Sequence, residues 1–324
     1  MTAIRVILAI IVAIGIGCPP SSAQTYPTKP IRIVVPTSPG GITDTLARAL
    51  AQRLNESFGQ QVIVENRPAG AGQLGVEFVA KSAPDGYTLL VAADASFVVN
   101  QHLYGRLPYD PIHDLAPITG LGISPQALLV HPSVPVNTFG ELIAYAKAKP
   151  GELNYGTFGI GTSGHLNIIL LEKETGTKFT PVHYRGAAPA ITDLLGGHIQ
   201  MLIVAIGLVQ QNLQAAKLKA LAVGSKQRLP QYPSLPTLDE SGLPGFEAGS
   251  WYGLAAPKGT PRQIVGKLSA ETQRIFGDPA FRDKFLTPAV TFSIASAPEQ
   301  FAERMRADSA KWGQVIKDAG VKAE

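Results

Sequence analysis

At residues 31–58 a strand, a glycine turn and a helix start follow one another, and this succession narrows the folds open to the chain. Ile31 to Val35 is a short apolar run, the mark of a buried strand. Pro36-Thr37-Ser38-Pro39-Gly40-Gly41 is a turn. Thr43 and Asp44 then open a helical pattern that carries Leu46, Leu50 and Leu54 on one face and stops at Gly59. The first turn of a helix has N–H groups without acceptors, and the helix dipole adds positive charge there. Glycines let a ligand oxygen approach the backbone, so such a place suits an anion.

The alternation continues. Val62 to Glu65 and Thr88 to Ala92 read as strands around a helix over Leu74–Ser82, which implies a parallel sheet with helices on its faces. Ligands of such sheets sit beyond the carboxyl ends of the strands, where the Thr37–Thr43 loop and Asp94-Ala95-Ser96 lie. Leu153 to Thr157, the turn Phe158–Gly164 and a helix from His165 repeat the device. Residues 101–120 are rich in turn formers and read as turns, and further strands are expected at 126–131, 179–184, 199–204 and 218–223. Thr138, with Glu141 three residues on, is expected to cap a helix through Lys149. Trp251 to Pro257 reads as a strand returning to the first unit, followed by helices rather than a third sheet. The expected fold is α/β, a two-domain Venus flytrap with a mainly parallel sheet in each domain. Its first domain is discontinuous (24–124 and 250–324), its second covers 125–249, and two crossing segments join them around a ligand cleft.

The composition, 45% hydrophobic and 16% charged, is that of a globular protein with sizeable cores. A net charge of +4 is too small and dispersed for nucleic-acid binding and mildly favours acidic ligands. Residues 1–23 read as a leader: Arg5, an apolar run from Val6 to Gly17, and Ser21-Ser22-Ala23 before a cut at Gln24. An uncleaved anchor and a lipoprotein cut before Cys18 are the other readings. Cys18 is the only cysteine, so the chain cut at Ala23 has neither a disulfide nor a thiolate metal site.

One family is matched by motifs in order along the mature chain. They include Pro39-Gly40-Gly41-Ile42-Thr43-Asp44, Val64-Glu65-Asn66-Arg67-Pro68, Pro84-Asp85-Gly86-Tyr87, Leu107-Pro108-Tyr109-Asp110-Pro111, Tyr184-Arg185-Gly186 and Trp251-Tyr252-Gly253-Leu254. In these the sequence resembles the tripartite tricarboxylate transporter substrate-binding proteins, or Bug proteins. The resemblance implies a periplasmic protein, without cofactor or catalysis, that delivers a carboxylate to membrane permease subunits. A monomer is expected. It also implies that the carboxylate lies between the two glycine turns, partly through water. Many relatives carry an acid or amide where this chain has Ala205, so the cleft wall is expected to be less polar and to suit an apolar or aromatic acid.

The candidate ligand residues are Thr37, Ser38, Gly40, Gly41, Thr43, Asp44 and Ser96 from the first domain, and Phe158, Gly161, Thr162, Ser163, His165, Tyr184 and Ala205 from the second. Each has a plainer reading. Thr43 and Asp44 serve as helix caps, and Asp44 would repel a carboxylate. His165 and Tyr184 serve as packing, and Phe97 and Phe158 as core rather than flanks of an apolar ligand. Gly159 to Gly164 spells G-x-G-x-x-G, but the next strand ends at Tyr184-Arg185-Gly186, without the acid that binds a ribose; an NADP enzyme is therefore a distant alternative. A hydrolase using Ser163 lacks a nucleophile elbow. The six histidines have no metal-ligand spacing. A sensor presenting its closed form to a membrane receptor stays open.

Overall fold

The computed structural model describes residues 26–68 and 72–323. The leader with its Cys18, and Ala69 to Ala71 of one glycine-rich loop, lie outside them. Among the described residues no helix is long and apolar enough to cross a membrane.

The amino-terminal elements are β1 (Ile31–Val35), α1 (Ile42–Phe58), β2 (Val62–Asn66), α2 (Gln73–Ala80) and β3 (Thr88–Ala93). A π-helical turn over Ala95–Val99 and a short α3 (Asn100–Leu103) lead to β4 (Leu115–Val130). Next come α4 (Phe139–Ala148), β5 (Asn154–Thr157), α5 (Ser163–Thr175), β6 (Thr180–His183), α6 (Ala187–Leu195), β7 (Met201–Ala205), α7 (Gln210–Gln214) and β8 (Lys219–Val223). The chain returns through β9 (Gly249–Pro257), α8 (Arg262–Gly277), β10 (Phe292–Ser293) and α9 (Pro298–Ala319).

The main sheet has the order β2-β1-β3-β9-β4-β7-β5-β6. Its outer sets, β2-β1-β3 and β7-β5-β6, are parallel, as expected. Its centre is antiparallel because β4 and β9 run side by side from one lobe towards the other. Helices cover both faces of each lobe. Leu46, Leu50 and Leu54 are fully buried, each worth about 1.5–3 kcal/mol of apolar transfer. Phe97 is fully buried too. Its ring stacks on Trp251 at 5.7 Å and meets Phe301 at 5.9 Å, so it does not flank a ligand.

Two expectations need correction. The segment at 101–120, read as turns, contains the start of the long strand β4. Beside the carboxyl-terminal helices, the two-residue β10 joins the existing sheet on β4. The lobes are also joined a third time. Val290, with a left-handed φ of 47°, is buried in the apolar cluster of the second lobe with Ala127 and Leu129. Thr291 Oγ1 lies 2.8 Å from Ser124 Oγ, and Gln210 Nε2 donates to Pro288 O at 2.7 Å. A two-residue strand and one inward valine leave too faint a periodicity to read.

Candidate functional site

The strand register determines which loops face one another. Ala93, at the carboxyl end of β3, pairs with Tyr252, which pairs with Gly122 of β4. Four residues further along β4, Gln126 pairs with Ala205 at the carboxyl end of β7. The carboxyl edges of the two parallel sets therefore face each other across about 13 Å of strand. The turns after β1 and β3 stand on one edge, and the turn after β5 and Ala205 on the other.

In the first turn, α1 begins at Ile42 with Gly41 as N-cap and no side-chain cap, so Thr43 is not the cap. Thr43 lies within the first helical turn, and its hydroxyl, like those of the exposed Thr37 and Ser38, makes no hydrogen bond among the described residues. Asp44 is buried and fully engaged. It accepts from Gly40 N–H at 3.0 Å, Arg48 Nε at 3.0 Å and Asn66 Nδ2 at 2.9 Å. Burial works to raise its pKa, but these donors outweigh it and hold the carboxyl below the usual range. Gly40 N–H, read above as a ligand donor, is thus spent on holding the turn.

In the second turn, Gly161 N–H donates to His165 Nδ1 at 3.1 Å, and Thr162 Oγ1 donates to Gly159 O at 2.8 Å. These two expected ligand donors are also used within their own turn. A glycine turn with positive φ at Gly159 and Gly161 needs such internal bonds to keep its shape. Burial, with His183 in edge contact at 5.2 Å, lowers the His165 pKa to about 4. Its ring is neutral at physiological pH, with its proton on Nε2 because Nδ1 accepts. The donors left to a ligand are the Ser163 hydroxyl and the N–H groups of Ser163 and Gly164, since those of His165 and Leu166 donate to Thr162 O.

The other candidates divide. Tyr184 donates its hydroxyl to Asp193 at 2.7 Å; burial and that carboxylate push its pKa up to about 12. Its phenol is thus tied to α6. Ser96 is half-buried in the π-helical turn after β3, and its hydroxyl makes no hydrogen bond among the described residues. The Phe158 ring lies against Gly164, where a Cβ would come within 2.5 Å of it. A Cβ on Gly161 would overlap Leu103 on α3. The G-x-G-x-x-G spacing thus serves packing and contact between lobes, not the approach of a pyrophosphate. Lys173 of α5 pairs with Asp318 of α9 at 2.8 Å, and Leu166 is buried with Trp251, so the lobes are in contact as they stand.

Three residues were missed. Gln126 donates to Ser163 Oγ at 2.6 Å and accepts from Asn167 Nδ2 at 2.8 Å. The available signal was one polar residue beside the apolar run Ala127–Val130, and another between Leu166 and Ile168. Asp94, next to Ser96, accepts from Ala95 N–H, Ser250 Oγ and Trp251 N–H. Burial pushes its pKa up to about 7 against those three bonds, and Asp308 adds to the rise. Two surface cavities, of about 650 and 340 Å³, lie away from both turns; Tyr232 and Glu240 line the larger, Glu174 and Lys311 the smaller.

Comparison with known proteins adds to this geometry. Residues 46–321 match the model of the tripartite tricarboxylate transporter family receptor. Protein BugT of Bordetella pertussis is 35% identical over 323 residues, 99% of each chain. The structure of Rhodopseudomonas palustris Rpa4515 with adipate superposes with a TM-score of 0.84 at 35% identity, covering 92% of this chain and 99% of that one. MatC of the same organism, with bound malate, superposes with a TM-score of 0.79 at 31% identity, covering 90% of this chain and all of the other.

Proposed function

The chain belongs to the tripartite tricarboxylate transporter receptor family, and on that premise we propose that it captures a small carboxylate between its two glycine turns and delivers it to permease subunits of such a transporter. Members of this family are solute-binding receptors and not enzymes, and this chain is one of them. The observation that carries the proposal is the facing pair of donor-bearing helix starts at Ile42 and Ser163. Hydrogen bonds to a charged acceptor are worth about 1.5–3 kcal/mol each, so a few neutral donors account for micromolar binding without a buried cation.

The ligand residues in this reading are Thr37, Ser38, Gly41 and Thr43 opposite Ser163, with Ser96, Phe158 and Ala205 as walls. Gly40, Asp44, Gly161, Thr162, His165 and Tyr184 hold those groups in place. Adipate in one relative and malate in another support a carboxylate, and the methyl of Ala205 favours an acid with an apolar body. The lobes are residues 24–124 with 250–324, and residues 125–249. One boundary cuts β4 and the other falls at the first residue of β9, so closure bends the pair near Ser124 and Gly249. The protein works as a monomer in the periplasm.

The test is a thermal-shift and calorimetric screen of mono- and dicarboxylates on refolded, ligand-free protein. Stabilisation by at least one acid is expected. Stabilisation by sugars or cations with none by any acid refutes the proposal.

A further inference from the structure

A serine hydroxyl is ambivalent, with one proton to give and two lone pairs to offer. A serine facing a cleft therefore does not by itself select an anion over a hydrogen-bond donor. Here the ambivalence is removed from behind. Gln126 Nε2 donates to Ser163 Oγ at 2.6 Å, while Gln126 Oε1 is taken by Asn167 Nδ2 at 2.8 Å. Gln126 is 2% exposed and Asn167 fully buried, so water does not compete for either amide. With its oxygen held by Asn167, the Gln126 amide has only N–H to show Ser163. One Ser163 lone pair is filled, and the hydroxyl proton is turned away from Gln126.

The glutamine is itself pinned. Its backbone N–H donates to Ala248 O at 3.0 Å, just before β9, and its backbone carbonyl accepts from Gly224 N–H at 2.8 Å, just after β8. At the far end of the series Asn167 Oδ1 is buried with no hydrogen-bond partner among the described residues, so the bond to Gln126 Oε1 is what orients the Asn167 side-chain amide. The three groups form one series, with every donor directed towards the cleft. Such bonds polarise one another in the same sense.

We infer that Gln126 and Asn167 are positioning residues that fix Ser163 as a donor and thereby make the second turn selective for a carboxylate over its neutral amide. The inference rests on the carboxylate reading above and extends it to specificity.

The decisive variant is Asn167→Asp, which touches nothing in the cleft. A carboxyl group at this buried position donates to Gln126 Oε1 while protonated, as Asn167 does. Once ionised it only accepts, so it draws the Gln126 N–H to itself, presents Gln126 Oε1 to Ser163 and turns the Ser163 proton inward; the affinity is therefore followed from pH 6 to 9. The probe is the tightest acid of a panel running from malate to adipate and benzoate, measured calorimetrically across this range beside its amide. Affinity for the acid is expected to fall about 10- to 100-fold, the scale of one hydrogen bond to a charged acceptor. In a Ser163→Ala background the same change is expected to cost under about threefold, which separates the relay from simple charge repulsion. Gln126→Met is the second variant, should Asn167→Asp fail to fold; it frees Ser163 to rotate and lowers the preference for acid over amide. Wild-type affinity and acid-over-amide preference in both Asn167→Asp and Gln126→Met, or an equal loss with and without Ser163, overturns the relay and leaves the carboxylate reading standing. Failure of the wild type to bind any acid of the panel overturns both.

Discussion

Gly161→Ala separates the cost of the turn from the cost of closing the lobes. Gly161 has φ of +76°, a region in which an L-residue loses roughly 1–2 kcal/mol. That loss is the same whether the lobes stand open or together, so it lowers stability without changing affinity. The second cost is different. The new Cβ would overlap Leu103 Cδ1 and lie 3.1 Å from its Cγ, whereas carbon atoms pack at about 3.5–4.0 Å. Leu103 is buried in the first-lobe core and has little room to retreat. Overpacking of this kind costs about 1–3 kcal/mol, and it exists only when the second turn rests on α3. If ligand capture needs that contact, affinity for the best acid of the panel falls about 5- to 150-fold. Calorimetry gives the affinity, and thermal unfolding gives the stability loss that accompanies it. Removing the obstacle with Leu103→Ala in the Gly161→Ala chain restores most of the affinity and none of the backbone cost. A Gly161→Ala protein that binds as tightly as wild type refutes the closure argument. So does a double variant that stays as weak as the single one.

Two further outcomes follow from the buried acids. The folded-state pKa of Asp94 is raised to about 7, so between about pH 4 and 7 the native state holds a proton that the unfolded chain has lost. This contribution is complete below the unfolded value and fades as pH rises through 7. Stability of wild type relative to Asp94→Asn therefore falls over that window in chemical denaturation, and a flat difference excludes the titration. Asp44 has the opposite sign: its folded pKa is depressed, and its contribution is present above the unfolded value and lost as pH falls through the folded one. Asp44→Ala strips the acceptor from Gly40, Arg48 and Asn66, with an expected loss of about 1–3 kcal/mol at pH 7 that shrinks as pH falls through the depressed folded-state pKa. A loss that does not shrink would show that Asp44 acts through packing alone.

Much of the molecule was legible because its signals are local. The α1 stripe of Leu46, Leu50 and Leu54, the stop at Gly59, and the Thr138 hydroxyl accepting from Glu141 N–H all stand where the spacing puts them. The alternation of strand and helix gave the two parallel sets for the same reason. The helix after the first turn began one residue earlier than Thr43 suggests, because Gly41 serves as the cap while Asp44, from inside the helix, holds the turn. The third crossing at Thr287–Ser293 and the Gln126–Asn167 pair were hidden. Each joins residues far apart in the chain through contacts that leave no period.

The sequence by itself determined the class of fold, the family and the two glycine turns. These depend on which residues neighbour one another along the chain and on the periods they repeat. Only the tertiary structure decided which donors in those turns are free. Gly40, Gly161 and Thr162 look like the best donors in the sequence, yet each is consumed within its own turn. Ser163 has its direction set by Gln126, brought 37 residues back along the chain by the register of β4 against β7. A hydrogen-bond donor can serve a ligand only if nothing nearer has claimed it, and the nearer claimant is a matter of packing.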